Sequence, residues 1–224
     1  MVALTPDPCP PAQEVRSVDL RFAPIAVADA PGYGQQLATT GLGPPMLPRW
    51  CVWVEPASSS EPSRWEARWQ RGVDQSLKVW GQVLPMIRVV DPQRAHVRIE
   101  RRRPPRRQLP DGWRASNGRS LLETLNVRRQ EVWRLEPRVT VLVSPELRAS
   151  ALQATALHEL GHAFGLWGHS DQAGDAMAVS QGRSPLLRLS KRDQLTLEWM
   201  RRQPTQFGKP VETDQTPETR LRND

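Results

Sequence analysis

The chain has 224 residues, enough for one domain of ordinary size with its own core. A hydrophobic share of 38%, a mean hydropathy of −0.57 and no run near the ~18 apolar residues of a membrane-spanning helix exclude a helical bilayer span. The formal charge of +7 is carried almost wholly by arginine, since lysine occurs only at Lys78, Lys191 and Lys209; most of it reads as solvated surface. The N-terminus has neither a cationic start nor an apolar block, so no secretory signal is read there and the compartment stays open.

Residues 1–48 are punctuated by Pro6, Pro8, Pro10, Pro11, Gly41, Gly43, Pro44 and Pro45 and read as an extended N-terminal arm, poorly packed on its own. Two cysteines are too few for a disulfide framework. Cys9 and Cys51 either bridge the arm to the first strand, outside a reducing compartment, or stay free with Cys51 half buried. Trp50-Cys51-Val52-Trp53-Val54 is a short β-favouring run stopped by Pro56. Ser60 or Ser63 then opens a helical pattern in which Trp65, Trp69, Val73, Leu77 and Trp80 recur at three- and four-residue steps, ended by Gly81. That tryptophan stripe reads as a core face.

Strands are predicted over 86–90 and 96–101; in the second, Val97 and Ile99 alternate with Arg98 and Glu100, as on a sheet with one wet face. Residues 104–118 read as loop. The patch Arg101-Arg102-Arg103-Pro104-Pro105-Arg106-Arg107 is denied helix or central strand by its prolines and reads as a solvated, mobile loop, with a nucleic-acid or acidic-substrate contact as the alternative. An edge strand is expected near 132–135 and a buried strand over 139–143. Ser144-Pro145-Glu146 has the chemistry of a helix start, and that helix should run to about Phe164 and stop at Gly165. A last helix is predicted from Ser190 to about Arg201, with a disordered polar tail over 203–224. The order of elements is an α+β pattern.

His158 and His162 stand four residues apart on the predicted helix, so both imidazoles leave one face about one turn apart. That separation suits two nitrogens at ~2.0–2.1 Å from one zinc ion. Glu159, beside the first ligand, is placed to take a proton from water activated by the metal. After Gly165 the chain can turn back and present His169 as third ligand, with Asp171 as the alternative. Three of the four histidines fall in this window of twelve residues, so the pattern is specific.

The stretch His158-Glu159-Leu160-Gly161-His162-Ala163-Phe164-Gly165-Leu166-Trp167-Gly168-His169-Ser170 resembles the zinc-binding consensus of the metzincin clan, most closely the matrixins. Met177, eight residues after His169, stands where matrixins place the methionine of their turn beneath the metal, and Leu189-Ser190-Lys191-Arg192-Asp193 is similar to the start of their C-terminal helix. Two departures stand out. The third histidine comes one residue late, with Gly168 in the matrixin position, and Ala178 replaces the tyrosine that usually follows the methionine. Cys9 does not match the matrixin latency motif, and no obvious acidic loops suggest structural calcium.

The resemblance implies a zincin-like, metzincin-type catalytic domain over 49–202: a twisted mixed sheet of about five strands, an active-site helix and a C-terminal helix. It implies a zinc metalloendopeptidase, with Zn2+ on His158, His162 and His169, Glu159 as general base, and Met177 shaping the floor. Substrate would be a protein or peptide extended along an edge strand near 132–135. The chain is read as a monomer, with neither membrane nor nucleic acid as partner, and an extracellular or periplasmic setting rests on the resemblance alone. The alternative is a catalytically weak or silent zinc domain that binds peptides or acidic partners, suggested by Ala178.

Overall fold

The structure is a computed structural model, and it describes residues 7–27, 29–109, 112–180 and 184–211. It is a mixed α+β architecture with one six-stranded sheet, two small hairpins and three α-helices. The strands of the large sheet are β1 (Glu14–Ser17), β4 (Trp50–Val54), β5 (Met86–Arg88), β6 (Val97–Glu100), β9 (Gly118–Arg129) and β10 (Val132–Val143), in the spatial order β1-β9-β10-β6-β4-β5. β4 runs parallel to β5 and β6, and β6 parallel to β10, whereas β9 is antiparallel to both β10 and β1. The small hairpins are β2 (Phe22–Pro24) with β3 (Ala38–Thr40), and β7 (Arg107–Leu109) with β8 (Gly112–Arg114). Among the described residues no helix is long and apolar enough to cross a membrane.

α1 (Arg64–Gly81) starts where its chemistry says it should. Ser63 accepts from the Glu66 amide, and the Glu66 carboxylate accepts from the Ser63 amide, so two orphan donors are satisfied reciprocally. Its buried face is Trp69, Val73, Leu77 and Trp80; the stripe's outer member, Trp65, is exposed and stacks with the guanidinium groups of Arg64 and Arg68. The tryptophans pack and also tether. Trp69 Nε1 donates to the Val143 carbonyl at 3.1 Å, and Trp80 Nε1 donates to the Leu157 carbonyl at 3.0 Å. The second bond ties α1 to α2 (Ala149–Ala163), while Trp50 and Trp80 both meet Phe164 edge-on, at 5.4 and 5.6 Å. α3 (Lys191–Arg202) opens on a second capping box, Ser190 with Asp193.

Several expectations are corrected. The sheet has six strands, not about five, because 118–129 forms a twelve-residue strand the sequence did not announce and 14–17 adds another. The two strands expected at 132–135 and 139–143 are one continuous strand. Its first part is no edge: it pairs with β9 on one side, and on the other the Gly208 amide donates to the Leu135 carbonyl and the Val211 amide to the Trp133 carbonyl. The polar tail is therefore docked as far as 211, with Phe207 buried; the rest of it lies outside the described residues. The loop expected at 104–118 contains the β7–β8 hairpin. α2 begins at Ala149, since Ser144 spends its hydroxyl on the Glu146 carboxylate at 2.6 Å rather than on a helical amide.

The N-terminal segment is fastened to the rest of the fold at separated points. Cys9 is bridged to Cys51, which is fully buried rather than half buried, and Tyr33, Leu37, Met46 and Leu47 join the main core. Tyr33 donates its hydroxyl proton to Asp193 at 2.8 Å. Burial first, then the Asp193 carboxylate, push the Tyr33 phenol far above its ordinary range, so it stays a donor.

Candidate metal centre

α2 delivers His158 and His162 from one face beneath the sheet, and the chain returns with His169. One ring nitrogen from each of these three lies within 4.8 Å of the others, a grouping that can hold a metal ion. Asp171, the alternative third ligand, lies outside this cluster and pairs with Arg192 at 2.9 Å. The tautomers follow from the outer contacts. His158 Nδ1 faces the Ala176 carbonyl at 2.9 Å and His162 Nδ1 faces the Leu166 carbonyl at 2.8 Å. A carbonyl only accepts, so each Nδ1 carries the proton and each Nε2 keeps a bare lone pair for a cation. Burial depresses the pKa of His158 to about 4 and of His162 to about 3, and that of His169 in the same direction, which keeps the rings neutral. Three neutral, converging imidazoles with oriented outer bonds can hold a metal ion.

His169 reaches the cluster because residue 168 is glycine. Its φ is +148°, and a Cβ there would stand 2.3 Å from the Gln36 carbonyl oxygen. Residue 168 thus lets the chain turn tightly ahead of His169, bridged to Leu37 of the N-terminal segment. Beneath the histidines Met177 is fully buried, its sulfur lying where a side chain on Gly161 would be. The turn carrying it is held at both ends: the Ser170 amide donates to the Met177 carbonyl at 2.8 Å, and the Ala176 amide donates to Asp193 at 2.8 Å.

Glu159 is buried next to the histidines. Burial raises its carboxyl pKa to about 7, against the opposing pull of the Ser120 hydrogen bond and the Arg119 charge. The Ser120 hydroxyl lies 2.8 Å from the Glu159 carbonyl and 2.9 Å from its Oε2, so one proton serves two acceptors. Gly118 makes this approach possible, because a Cβ there would come within 2.6 Å of Glu159 Cγ. A cleft of about 460 Å³ opens over the group, lined by β9 on one side and His158, His162 and His169 on the other.

The structure brings His158, His162 and His169 together with Glu159 beside them, and leaves Asp171 outside the group. Sequence reasoning singled out Arg107, which reaches the cleft from β7, only as part of the arginine patch, with an acidic-substrate contact as the alternative reading. It missed Gly118, Arg119 and Ser120, which reach the cleft from β9; the only available cue was the alternation of Leu125 and Val127 with Asn126 and Arg128, farther along the same strand. It also missed the second role of Asp193, although the spacing of Ser190 and Asp193 was a visible capping signal. No family model matches the chain, and no match was found among curated proteins.

Proposed function

We propose that this chain is a zinc-dependent metalloendopeptidase of the metzincin type. The observation that carries the reading is the pairing of three converging, neutral histidines with a buried carboxyl whose pKa lies near 7. His158, His162 and His169 would hold the ion, and the ion, when bound, would polarise a carbonyl and acidify water. Glu159 is the proton carrier: a carboxyl that titrates near neutrality can take a proton from water and give it to a leaving amine. Ser120 aims the Glu159 carboxyl and Gly118 makes space for it. Met177 forms the floor without ligating.

Substrate has an edge to pair with, although not the one expected from sequence. β1 covers the outer edge of β9 only at Leu125–Arg128, and residues 119–123, beside the histidines, carry no strand there among the described residues. An extended peptide adding to that edge would lie across the cleft. The buried Ala178 brings no hydroxyl to the site and keeps the second reading, a silent zinc domain that binds peptides, in play.

One experiment separates the two. Zinc-loaded protein is incubated with a broad peptide library, with and without chelator, beside Glu159→Ala. The expected result is cleavage that chelator abolishes and that the variant lowers by about 10²–10⁴-fold, with roughly one zinc per chain retained in both. A fully active variant would overturn the mechanism, and zinc without any cleavage would leave the binding domain.

A further inference from the structure

The cleft that gathers the three histidines also carries two cations. Arg107, at the start of β7, and Arg119, in β9 between Gly118 and Ser120, both line it. Several arginines elsewhere are matched to carboxylates, Arg88 to Asp74, Arg101 to Glu55 and Glu66, Arg129 to Glu136, Arg192 to Asp171 and Asp175, although others, such as Arg68 and Arg138, form no such pair among the described residues. Neither Arg107 nor Arg119 has an ion pair of this kind among the described residues. Their proximity is unfavourable in itself. Burial, and next the Arg107 charge, lower the Arg119 pKa, and Glu159 offsets this only in part. Among the described residues Glu159 is the one acid lining the cleft, and its carboxyl is already engaged by the Ser120 hydroxyl at 2.9 Å.

Two like charges on the rim of a binding cleft, short of a counter-charge, favour an anionic ligand. Arg119 also sits on the open stretch of the β9 edge, so a peptide paired there runs past it. We infer that Arg119 and Arg107 bind a carboxylate of the substrate, making this cleft selective for peptides with an acidic side chain or a free C-terminus near the scissile bond. The inference rests on the peptidase reading above. Guanidinium groups suit the task because they present forked, permanently charged donors to carboxylates.

The test uses an alanine-based octapeptide carrying glutamate or glutamine at each position in turn, each with a free or amidated C-terminus. Binding is measured by calorimetry on metal-loaded Glu159→Gln, and cleavage on metal-loaded wild type. At one position, or at the C-terminus, the carboxylate should be favoured over its amide by about tenfold or more, the worth of one charge-assisted bond. Arg107→Gln with Arg119→Gln should bring that ratio to near one, Arg119→Lys should keep part of it, and Arg102→Gln, an exposed charge paired with Glu100, should leave it intact. Thermal melting of each variant establishes that it is folded. Equal binding of acids and amides at every position, or a preference that survives the double replacement, would overturn the inference. So would a short oligonucleotide that binds more tightly than every peptide and loses its grip in the double variant. Selective binding with no hydrolysis by wild type would sink the peptidase reading and leave the carboxylate site standing; hydrolysis without selectivity would do the reverse.

Discussion

With a Gln36 carbonyl 2.3 Å from where its Cβ would stand, and a positive φ, residue 168 has room for hydrogen alone. An alanine there must move either Leu37 or the turn, and the residue that follows is His169. Gly168→Ala should therefore weaken metal binding by at least about tenfold, because backbone strain of ~1–3 kcal/mol is set against the third ligand's placement. Competition with a chromogenic chelator measures it; unchanged affinity would mean that the turn does not position His169. The titrations of the metal-free protein make a second prediction. His158 and His162 have pKa values of about 4 and about 3 in the fold and near 6.5 in the unfolded chain, so their stability contribution is present above pH 6.5 and lost as pH falls through those values. Glu159 has the opposite sign: raised from 4.5 to about 7, its contribution is present below 4.5 and lost as pH rises through 7. Two histidines oppose one glutamate, so the urea midpoint of metal-free protein should fall from pH 6.5 to 4.5. In Glu159→Gln, which removes the opposing carboxyl, the fall should be steeper; a flatter curve would contradict the opposed titrations of the histidines and Glu159.

The helices were legible because their ends and faces are written locally: Ser63 with Glu66, Ser190 with Asp193, and the Trp69, Val73, Leu77, Trp80 face. The β9–β10 hairpin was not, for two physical reasons. Its turn is Gln130-Glu131, with φ of 48° and 64°, so side chains that disfavour positive φ occupy positions where Asn-Gly would have signalled a two-residue hairpin. The second reason is Pro137, which divides the apolar run and suggests two strands. Val18 donates to the Thr124 carbonyl, so that carbonyl points away from β10, and its partner Pro137 turns its nitrogen away from β9. On that far side β6 pairs only from Val139 onward, so the missing proline donor leaves no ladder bond unmade. The turn yields a direct prediction. Gln130→Asn with Glu131→Gly should stabilise the protein by about 0.5–1 kcal/mol, since the exposed contacts of Glu131 with Gln13 and Arg128 contribute little. Urea unfolding at neutral pH reads the change, and a lowered midpoint would show that those contacts outweigh the turn.

At the scale of the whole molecule, the segment ahead of the first central strand looks like linker by composition yet is fastened at separated points. Its apolar anchors, Tyr33, Leu37, Met46 and Leu47, follow no period of 2 or 3.6, so no pattern announces them. Cys9 and Cys51 are 42 residues apart in sequence, and only the fold places them side by side. The bridge has a buried setting: the Cys51 amide donates to His96 Nδ1 at 3.0 Å, His96 faces Glu136, and Arg129 donates to both Glu136 and the Pro10 carbonyl. Glu136 is held below the ordinary carboxylate range although burial alone would raise it, because His96 and Arg129 together outweigh that burial. This cluster fixes residues 8–10 against the sheet, and β1 then lies on the β9 edge. Closing a loop of this length removes unfolded-state entropy worth about 4 kcal/mol in the chain-entropy model. Cys9→Ser with Cys51→Ser, or reductant in the native protein, should therefore lower stability by a few kcal/mol and expose residues 7–18 to proteolytic nicking. The histidines belong to α2 and the turn after it, which the bridge does not touch, so metal stoichiometry should be unchanged. Urea midpoints and nicking sites compared with and without reductant decide the matter: coincident curves and an uncut N-terminal segment would mean that the Arg129 cluster alone holds this segment in place.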